Sequence, residues 1–251
     1  MNGIYTPSGK AREYAHNALN LFNGCSHRCF YCWVPKVRHI SREDFAIVTI
    51  REGIIEQLKK DAVKYAGTDD RVLLCFTCDP YPESEEFRKV TRQVLEILRD
   101  HDIPFNVLSK AGRRARADFD LYGPKDIYSA TLTYSTDGFS IRDEPGAALP
   151  FDRIQTLRMA HEKGIQTEVS LEPVLDPQEV FSLIARTHEF VNTYKIGKLN
   201  YSPTEIDWRW FGTTVLTMLH KLHKQYYIKR SLADFLHGVP FENTDTRRVN
   251  R

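Results

Sequence analysis

The chain has 251 residues, is 41% hydrophobic and 27% charged, and carries 35 basic against 33 acidic residues for a net charge of +2. These are ordinary globular values, which exclude a disordered or low-complexity chain, while a charge so near balance argues neither for nor against a polyanionic partner. Five cysteines, three of them clustered, fit a reducing compartment better than a disulfide framework; no apolar run approaches the ~20 residues of a bilayer span, and Met1 to Thr6 lacks the apolar core of a signal peptide, so we expect a soluble, cytoplasmic protein without a membrane anchor.

Thr6 to Asn17 is polar, with Lys10, Arg12, Glu13 and His16, and reads as an arm leading into the fold. Ala18 to Phe22 is a short apolar run closed by Asn23-Gly24, a strand and a turn. A cysteine-rich loop follows, and Pro35 breaks the structure after it. From Glu43 onward, helical spacing puts Ile54, Ile55, Leu58, Ala62 and Val63 on one face, with Gly67 as the stop. The uninterrupted apolar run Arg71 to Thr77 predicts a buried parallel strand. Phe87, Val90, Val94, Ile97 and Leu98 mark a second helix, and Ile103 to Leu108 and Ile127 to Tyr134 the third and fourth strands. A helix around Ile154, Leu157 and Ala160 ends at Gly164, and Gln166 to Leu171 is the fifth strand. Val180, Phe181, Ile184 and Phe190 mark the next helix, Tyr194 to Leu199 the sixth strand, and Phe211, Val215, Leu219 and Leu222 a last long helix. Tyr226 to Leu236 reads as an added strand and short helix, followed by a polar tail. Strand and helix alternate about six times, which implies parallel strands joined by right-handed crossovers. The expected class is α/β, a partial barrel or strongly curved open sheet, divided into an arm (1–17), a core (18–225) and an extension (226–251). Ligands of such sheets bind at the carboxyl ends of the strands.

Cys25, Cys29 and Cys32 stand at C-x3-C-x2-C spacing within eight residues. Three thiolates on one short loop suit one face of a cubane iron–sulfur cluster. A fully protein-bound 4Fe–4S cluster takes four cysteines, so three leave one iron open to another molecule. A structural zinc knuckle competes, but zinc prefers paired C-x2-C units with a fourth ligand, and His27 inside the loop closes such a site awkwardly. Cys75 and Cys78 also have C-x2-C spacing. Two ligands do not make a metal site, and an odd offset along a strand points the two thiols to opposite faces. Glu168, Ser170 and Glu172 share one face of the fifth strand, where polar groups are costly unless partnered; that face is expected to line the cavity, with Lys195, Lys198 and Asn200 in a similar role. Arg113, Arg114 and Arg116 suit phosphates or a solvated helix start. Trp208 and Trp210 suit base stacking or a packed helix start.

With Tyr31 just before the last cysteine, the loop motif resembles the signature of the radical S-adenosylmethionine (SAM) enzymes. The resemblance implies a partial (β/α)6 barrel of the radical SAM type and a 4Fe–4S cluster on Cys25, Cys29 and Cys32, whose open iron is chelated by the amino and carboxylate groups of SAM. It also implies a reductant such as flavodoxin or ferredoxin, whose electron passes through the cluster to cleave the sulfonium into methionine and a 5′-deoxyadenosyl radical that abstracts hydrogen from substrate. Thr77-Cys78-Asp79-Pro80-Tyr81, the segment Pro7 to Tyr14, Leu108-Ser109-Lys110 and Glu144-Pro145-Gly146 look like the spore photoproduct lyase-like branch, and the resemblance runs from about Thr6 to Tyr201.

On that resemblance Lys110 is carried over as a SAM ligand, with a solvated strand-end lysine as the alternative. Thr131 and Thr133 are the strand-four hydroxyl candidates, against ordinary β-propensity. Tyr31 flanks the adenine, or simply packs the loop. Asp79 holds the SAM amino group or caps the following helix. Glu144 orients SAM or substrate and Arg142 pairs with a carboxylate, or the segment is a turn with solvated charges. The hydrogen-returning cysteine of the lyase falls at Phe76, so lyase activity itself is in doubt; Cys78, two residues on, takes over that role or is a buried structural thiol. The branch implies a nucleic-acid base as substrate, hence DNA or RNA as partner. A radical SAM enzyme for a small molecule or peptide, and a non-catalytic iron–sulfur or zinc protein, are the alternatives.

Overall fold

The computed structural model describes residues 3–199 and 204–249. Seven strands form one parallel sheet in chain order: β1 (Asn17–Leu19), β2 (Val72–Leu74), β3 (Phe105–Ser109), β4 (Ile127–Thr131), β5 (Gln166–Val174), β6 (Thr193–Lys198) and β7 (Gln225–Ile228). Parallel neighbours require crossover connections. These are α1 (Ile54–Tyr65), α2 (Glu85–Asp100), the 3-10 segment Gly112–Leu121, α3 (Pro150–Glu162), α4 (Pro177–Thr187) and α5 (Trp208–Lys221). No pairing joins β1 to β7 among the described residues, so the sheet is an open, partial barrel. β2 and β4 are buried along their whole length, as strands covered on both faces must be. No helix among the described residues is long and apolar enough to cross a membrane.

The sheet departs from expectation in three places. The addition expected at Tyr226 is a strand that pairs parallel with β6, from Thr193 with Gln225 to Ile196 with Ile228, so the sheet has seven strands. The first strand stops at Leu19; Phe22–Asn23 pairs antiparallel with Thr49–Ile50. That small ribbon splits the helical run expected from Glu43 into a short helix, Arg42–Phe45, capped by Ser41, and α1, which starts at Ile54. Val63 is 72% exposed; the inner face of α1 is instead Ile54, Leu58, Asp61 and Ala62. Asp61 accepts from Ile4 N at 3.0 Å, a tertiary bond that overrides the simple apolar pattern. β2 also ends at Leu74, three residues earlier than its apolar run. Residues 75–79 therefore form a loop at the carboxyl end of the sheet.

Candidate active site

The three clustered cysteines face two adjoining cavities. One, of about 320 Å³, is ringed by His27, Arg28, Pro35, Arg42 and Phe45. The other, of about 750 Å³, lies over the carboxyl ends of the strands and takes residues at or just after the end of every strand from β2 to β7, with Thr77, Lys110, Thr131, Glu172, Leu199 and Lys229 among its walls. The loop's backbone is held from outside. Cys25 N donates to Phe45 O at 2.7 Å and Phe30 N to Asp143 O at 2.9 Å. Arg42 clamps it, donating to Cys29 O at 3.0 Å and Cys32 O at 3.2 Å. Gly24 has φ +79°, and a Cβ there would lie 2.0 Å from Ile47 O; one on Gly146 would lie 2.2 Å from Ser26 O. Both positions need glycine for the loop to be approached so closely.

Burial pushes the thiol pKa values of Cys25 and Cys29 up. Among the described residues no three His, Cys, Asp or Glu side chains close on one metal ion. All three thiols line both cavities, and a 4Fe–4S cluster takes its cysteines on different irons, so three thiols on one loop fit such a cluster with one iron left open. His27 has its Nδ1 3.5 Å from Asp79 and its Nε2 3.1 Å from Arg114. Burial brings its pKa down to about 4. It is a neutral ring, with Nδ1–H toward the carboxylate and Nε2 accepting from the guanidinium.

Behind the loop lies a buried charge pair. Tyr31 donates its phenol to Glu144 and stands 3.1 Å from Thr133 Oγ1. Glu144 pairs with Arg153 at 2.7 Å, both side chains fully buried. Burial alone would raise the Glu144 carboxyl, but Arg153 and Lys110 bring it down to about 2. Arg153 also donates to Ala148 O at 2.6 Å and Thr131 O at 3.0 Å. Lys110 Nζ lies 5.2 Å from the Tyr31 ring centroid, close enough for a cation–π contact.

The expected residues fall into two groups. Tyr31, Cys78, Asp79, Lys110 and Thr131 line the larger cavity with the cysteines. Glu144 is not on its wall and reaches it through Tyr31. Thr133 likewise holds Tyr31. Asp79 does not cap α2, whose N-cap is Ser84; its carboxylate ties the ends of β2 and β3 together, accepting from Ser109 Oγ at 2.9 Å, Lys110 N at 2.7 Å and Tyr81 N at 2.9 Å. Cys75 and Cys78 do not point to opposite faces. Both line the cavity, because the strand has already ended and its alternation no longer applies. Burial, and after it the neighbouring Cys78, push the Cys75 pKa well up.

Two of the basic run are engaged by the fold, Arg114 donating to Tyr81 O at 2.9 Å and Arg116 pairing with Asp152 at 2.6 Å, while Arg113 is exposed. Arg142 pairs with Asp143 at 2.6 Å. Trp208 is buried at the start of α5, whereas Trp210 is exposed. Lys195 is buried against Glu168 at 3.1 Å, and Lys198 lies over Phe235 at 4.5 Å. Asn200 lies outside the described residues. Sequence reasoning missed Arg42, Arg153, Tyr14 and Lys229. Tyr14 donates to Glu172 and stands 3.2 Å from Ser170 Oγ, while Lys229 pairs with Glu172 at 2.6 Å.

A family model described as the Radical SAM superfamily matches residues 19–191. An uncharacterized protein of Acidianus two-tailed virus, ORF301, is 23% identical over 175 residues, which is 65% of this chain and 57% of that protein. Among solved structures, SuiB of Streptococcus suis bound to S-adenosylmethionine superposes with a TM-score of 0.67 at 9% identity, covering 90% of this chain and 53% of SuiB. A spore photoproduct lyase variant gives 0.68 at 13% identity, covering 89% and 79%. The chain spans little more than half of the viral protein and of SuiB. At these identities the likeness to the solved structures is one of fold.

Proposed function

The chain belongs to the radical SAM superfamily, enzymes that use a 4Fe–4S cluster and S-adenosylmethionine, and from that premise we propose that Cys25, Cys29 and Cys32 hold the cluster and that SAM lies in the larger cavity beside them. The observation that carries this reading is the gathering of all three thiols with Tyr31, Asp79, Lys110 and Thr131 around one cavity of about 750 Å³, a size suited to ligand sites. When bound, cluster and SAM supply a 5′-deoxyadenosyl radical that takes a hydrogen atom from substrate.

The remaining roles belong to the chain's own side chains. The Lys110 ammonium binds the SAM carboxylate. Tyr31 flanks the adenine, held in orientation by Glu144 and Thr133, so Glu144 acts as a positioning residue through the phenol. Thr131 and Asp79 supply polar contacts at the cavity wall; Asp79 also fixes the Lys110 backbone. Cys78 is the hydrogen-atom donor, its thiol beside Cys75 in the cavity.

The substrate is a base of DNA or RNA. A spore photoproduct lyase of the same fold has been solved in complex with dinucleoside spore photoproduct, and the cavity here has the aromatic side chains Trp33, Phe76 and Tyr14 on its walls, which suit a planar ring. A low-potential electron carrier such as flavodoxin or ferredoxin reduces the cluster, in the cytoplasm. The arm (1–17) and the extension (226–251) each lend cavity residues to the core (18–225), Tyr14 and Lys229 among them. The test is anaerobic reconstitution with iron and sulfide, then dithionite and SAM. We expect 5′-deoxyadenosine from the wild type and none from Cys25→Ala, Cys29→Ala or Cys32→Ala; equal yields from all four proteins would contradict the assignment.

A further inference from the structure

The residues assigned to cluster and SAM come from the β1–β4 side of the sheet. The cavity wall on the β5–β7 side carries ionisable groups with no part in that assignment. Tyr14 comes from the arm, Glu172 from β5 and Lys229 from just after β7, and all three line the cavity. Lys229 Nζ is 2.6 Å from Glu172 Oε2 and 3.8 Å from the Tyr14 ring centroid. The Tyr14 phenol donates to the same carboxylate.

The neighbouring strand makes room for the group. A Cβ on Gly197 of β6 would lie 2.6 Å from Glu172 Oε1 and 2.7 Å from Lys229 Cδ. The Lys229 and Glu172 side chains are only 4% and 11% exposed. Withdrawing such a pair from water costs more than apolar packing of the same volume, so its presence on a cavity wall points to a use beyond stability.

Charge and shape narrow that use. Glu172 and Lys229 cancel, and beneath them Glu168 and Lys195 form a second buried pair at 3.1 Å. A charged substrate group would meet its own sign as closely as its opposite. A neutral group with adjacent donor and acceptor meets both halves of the pair favourably: its N–H faces a carboxylate, and its carbonyl faces an ammonium with three donors, of which Glu172 takes one. Aromatic rings line the cavity beside this polar edge: Tyr14 lies edge-on to Phe76 at 5.6 Å, and Phe76 is tilted against Trp33 at 5.5 Å. An open peptide amide has no ring to pack against them; a nucleobase has both a ring and a polar edge.

The geometry points to Tyr14, Glu172 and Lys229 as a substrate subsite that grips the lactam edge of a nucleobase, N–H to Glu172 and C=O to Lys229, with Gly197 keeping the space in which the pair stands. The inference rests on the proposed reading of the same cavity and assigns its second wall.

The test is equilibrium dialysis of the full chain, cluster reconstituted and SAM loaded, with uridine, 3-methyluridine and N-acetylglycinamide, and SAM retention measured in the same samples. We expect uridine to bind about tenfold or more tighter than 3-methyluridine, the loss that goes with one charge-assisted hydrogen bond, and N-acetylglycinamide to bind more weakly than uridine. Lys229→Met, Tyr14→Phe and Gly197→Ala should each weaken uridine while SAM retention persists. Equal binding of uridine and 3-methyluridine by the wild type overturns the subsite whether or not any variant folds. So does N-acetylglycinamide binding as tightly as uridine, which would assign the wall to a peptide amide, and so do folded variants with undiminished uridine affinity. Failure of the wild type to retain SAM would instead remove the reading of the cavity itself.

Discussion

The two sides of the sheet solve the same physical problem differently. On the β1–β4 side the buried pair Glu144–Arg153 is sealed, and its influence reaches the cavity through one phenol, Tyr31. On the β5–β7 side the pair Glu172–Lys229 stands on the cavity wall itself, with its phenol, Tyr14, beside it. A sealed pair fixes geometry, which suits a cofactor bound the same way at every turnover. A pair at the wall offers polar contacts of its own, which suits a substrate. The difference teaches where to look for what is specific to this chain within a shared fold.

The largest effect expected is on the sealed side. Arg153→Met leaves Glu144 buried without its cation and should cost about 3–5 kcal/mol of stability in urea unfolding, while the double variant Arg153→Met, Glu144→Leu should recover much of that loss. Lys229→Met, at the pair that borders the cavity, should cost clearly less, because water in the cavity can reach the remaining carboxylate. If the two single variants were equally destabilised, the contrast between sealed and wall pairs would fail. A smaller effect is expected at the loop clamp. Arg42→Met removes two bonds to the carbonyls of Cys29 and Cys32; at about 0.5–1.5 kcal/mol each, the loss should show as faster removal of iron from the reconstituted protein by a chelator, with uridine binding unchanged.

The smallest effect belongs to neither cavity wall and serves as a control. Asp126, just before β4, accepts from Phe105 N at 2.9 Å and Gly123 N at 2.7 Å. Burial raises its pKa to about 6. A carboxyl whose folded pKa exceeds its unfolded value of ~3.9 stabilises most below that value, and the contribution is lost as pH rises toward 6. Urea midpoints should therefore fall between about pH 4 and pH 6 by an amount that Asp126→Asn removes, on the order of 2 kcal/mol at most. A slope unchanged in that variant would mean other groups govern the window.

Much of this was legible in the sequence because it rests on local pattern. The alternation of apolar strand runs and helical faces pointed to the parallel sheet, and three cysteines in one loop pointed to thiols gathered on one cavity. The polar face of β5 was legible only in part: period two put Glu168, Ser170 and Glu172 on one face, but only Glu172 lines the cavity, while Glu168 and Ser170 are buried off its wall. What escaped depends on contacts between distant segments. Arg153 sits in an ordinary helical run, where an arginine reads as solvated until Glu144 is brought against it. Lys229 lies in the run expected as an added strand and short helix, and only the pairing of β7 with β6 brings it against Glu172. Cys75 and Cys78 were misread because strand alternation was extended past Leu74, where the strand stops.

The most direct test of the central claim is electron paramagnetic resonance of the anaerobically reconstituted, dithionite-reduced protein with and without SAM. Three cysteines on a four-iron cluster predict an S = 1/2 signal whose g-values shift when SAM takes the open iron. A signal that stays the same at saturating SAM would mean no iron is open to it, and the assignment of Cys25, Cys29 and Cys32 as a three-ligand set would be wrong.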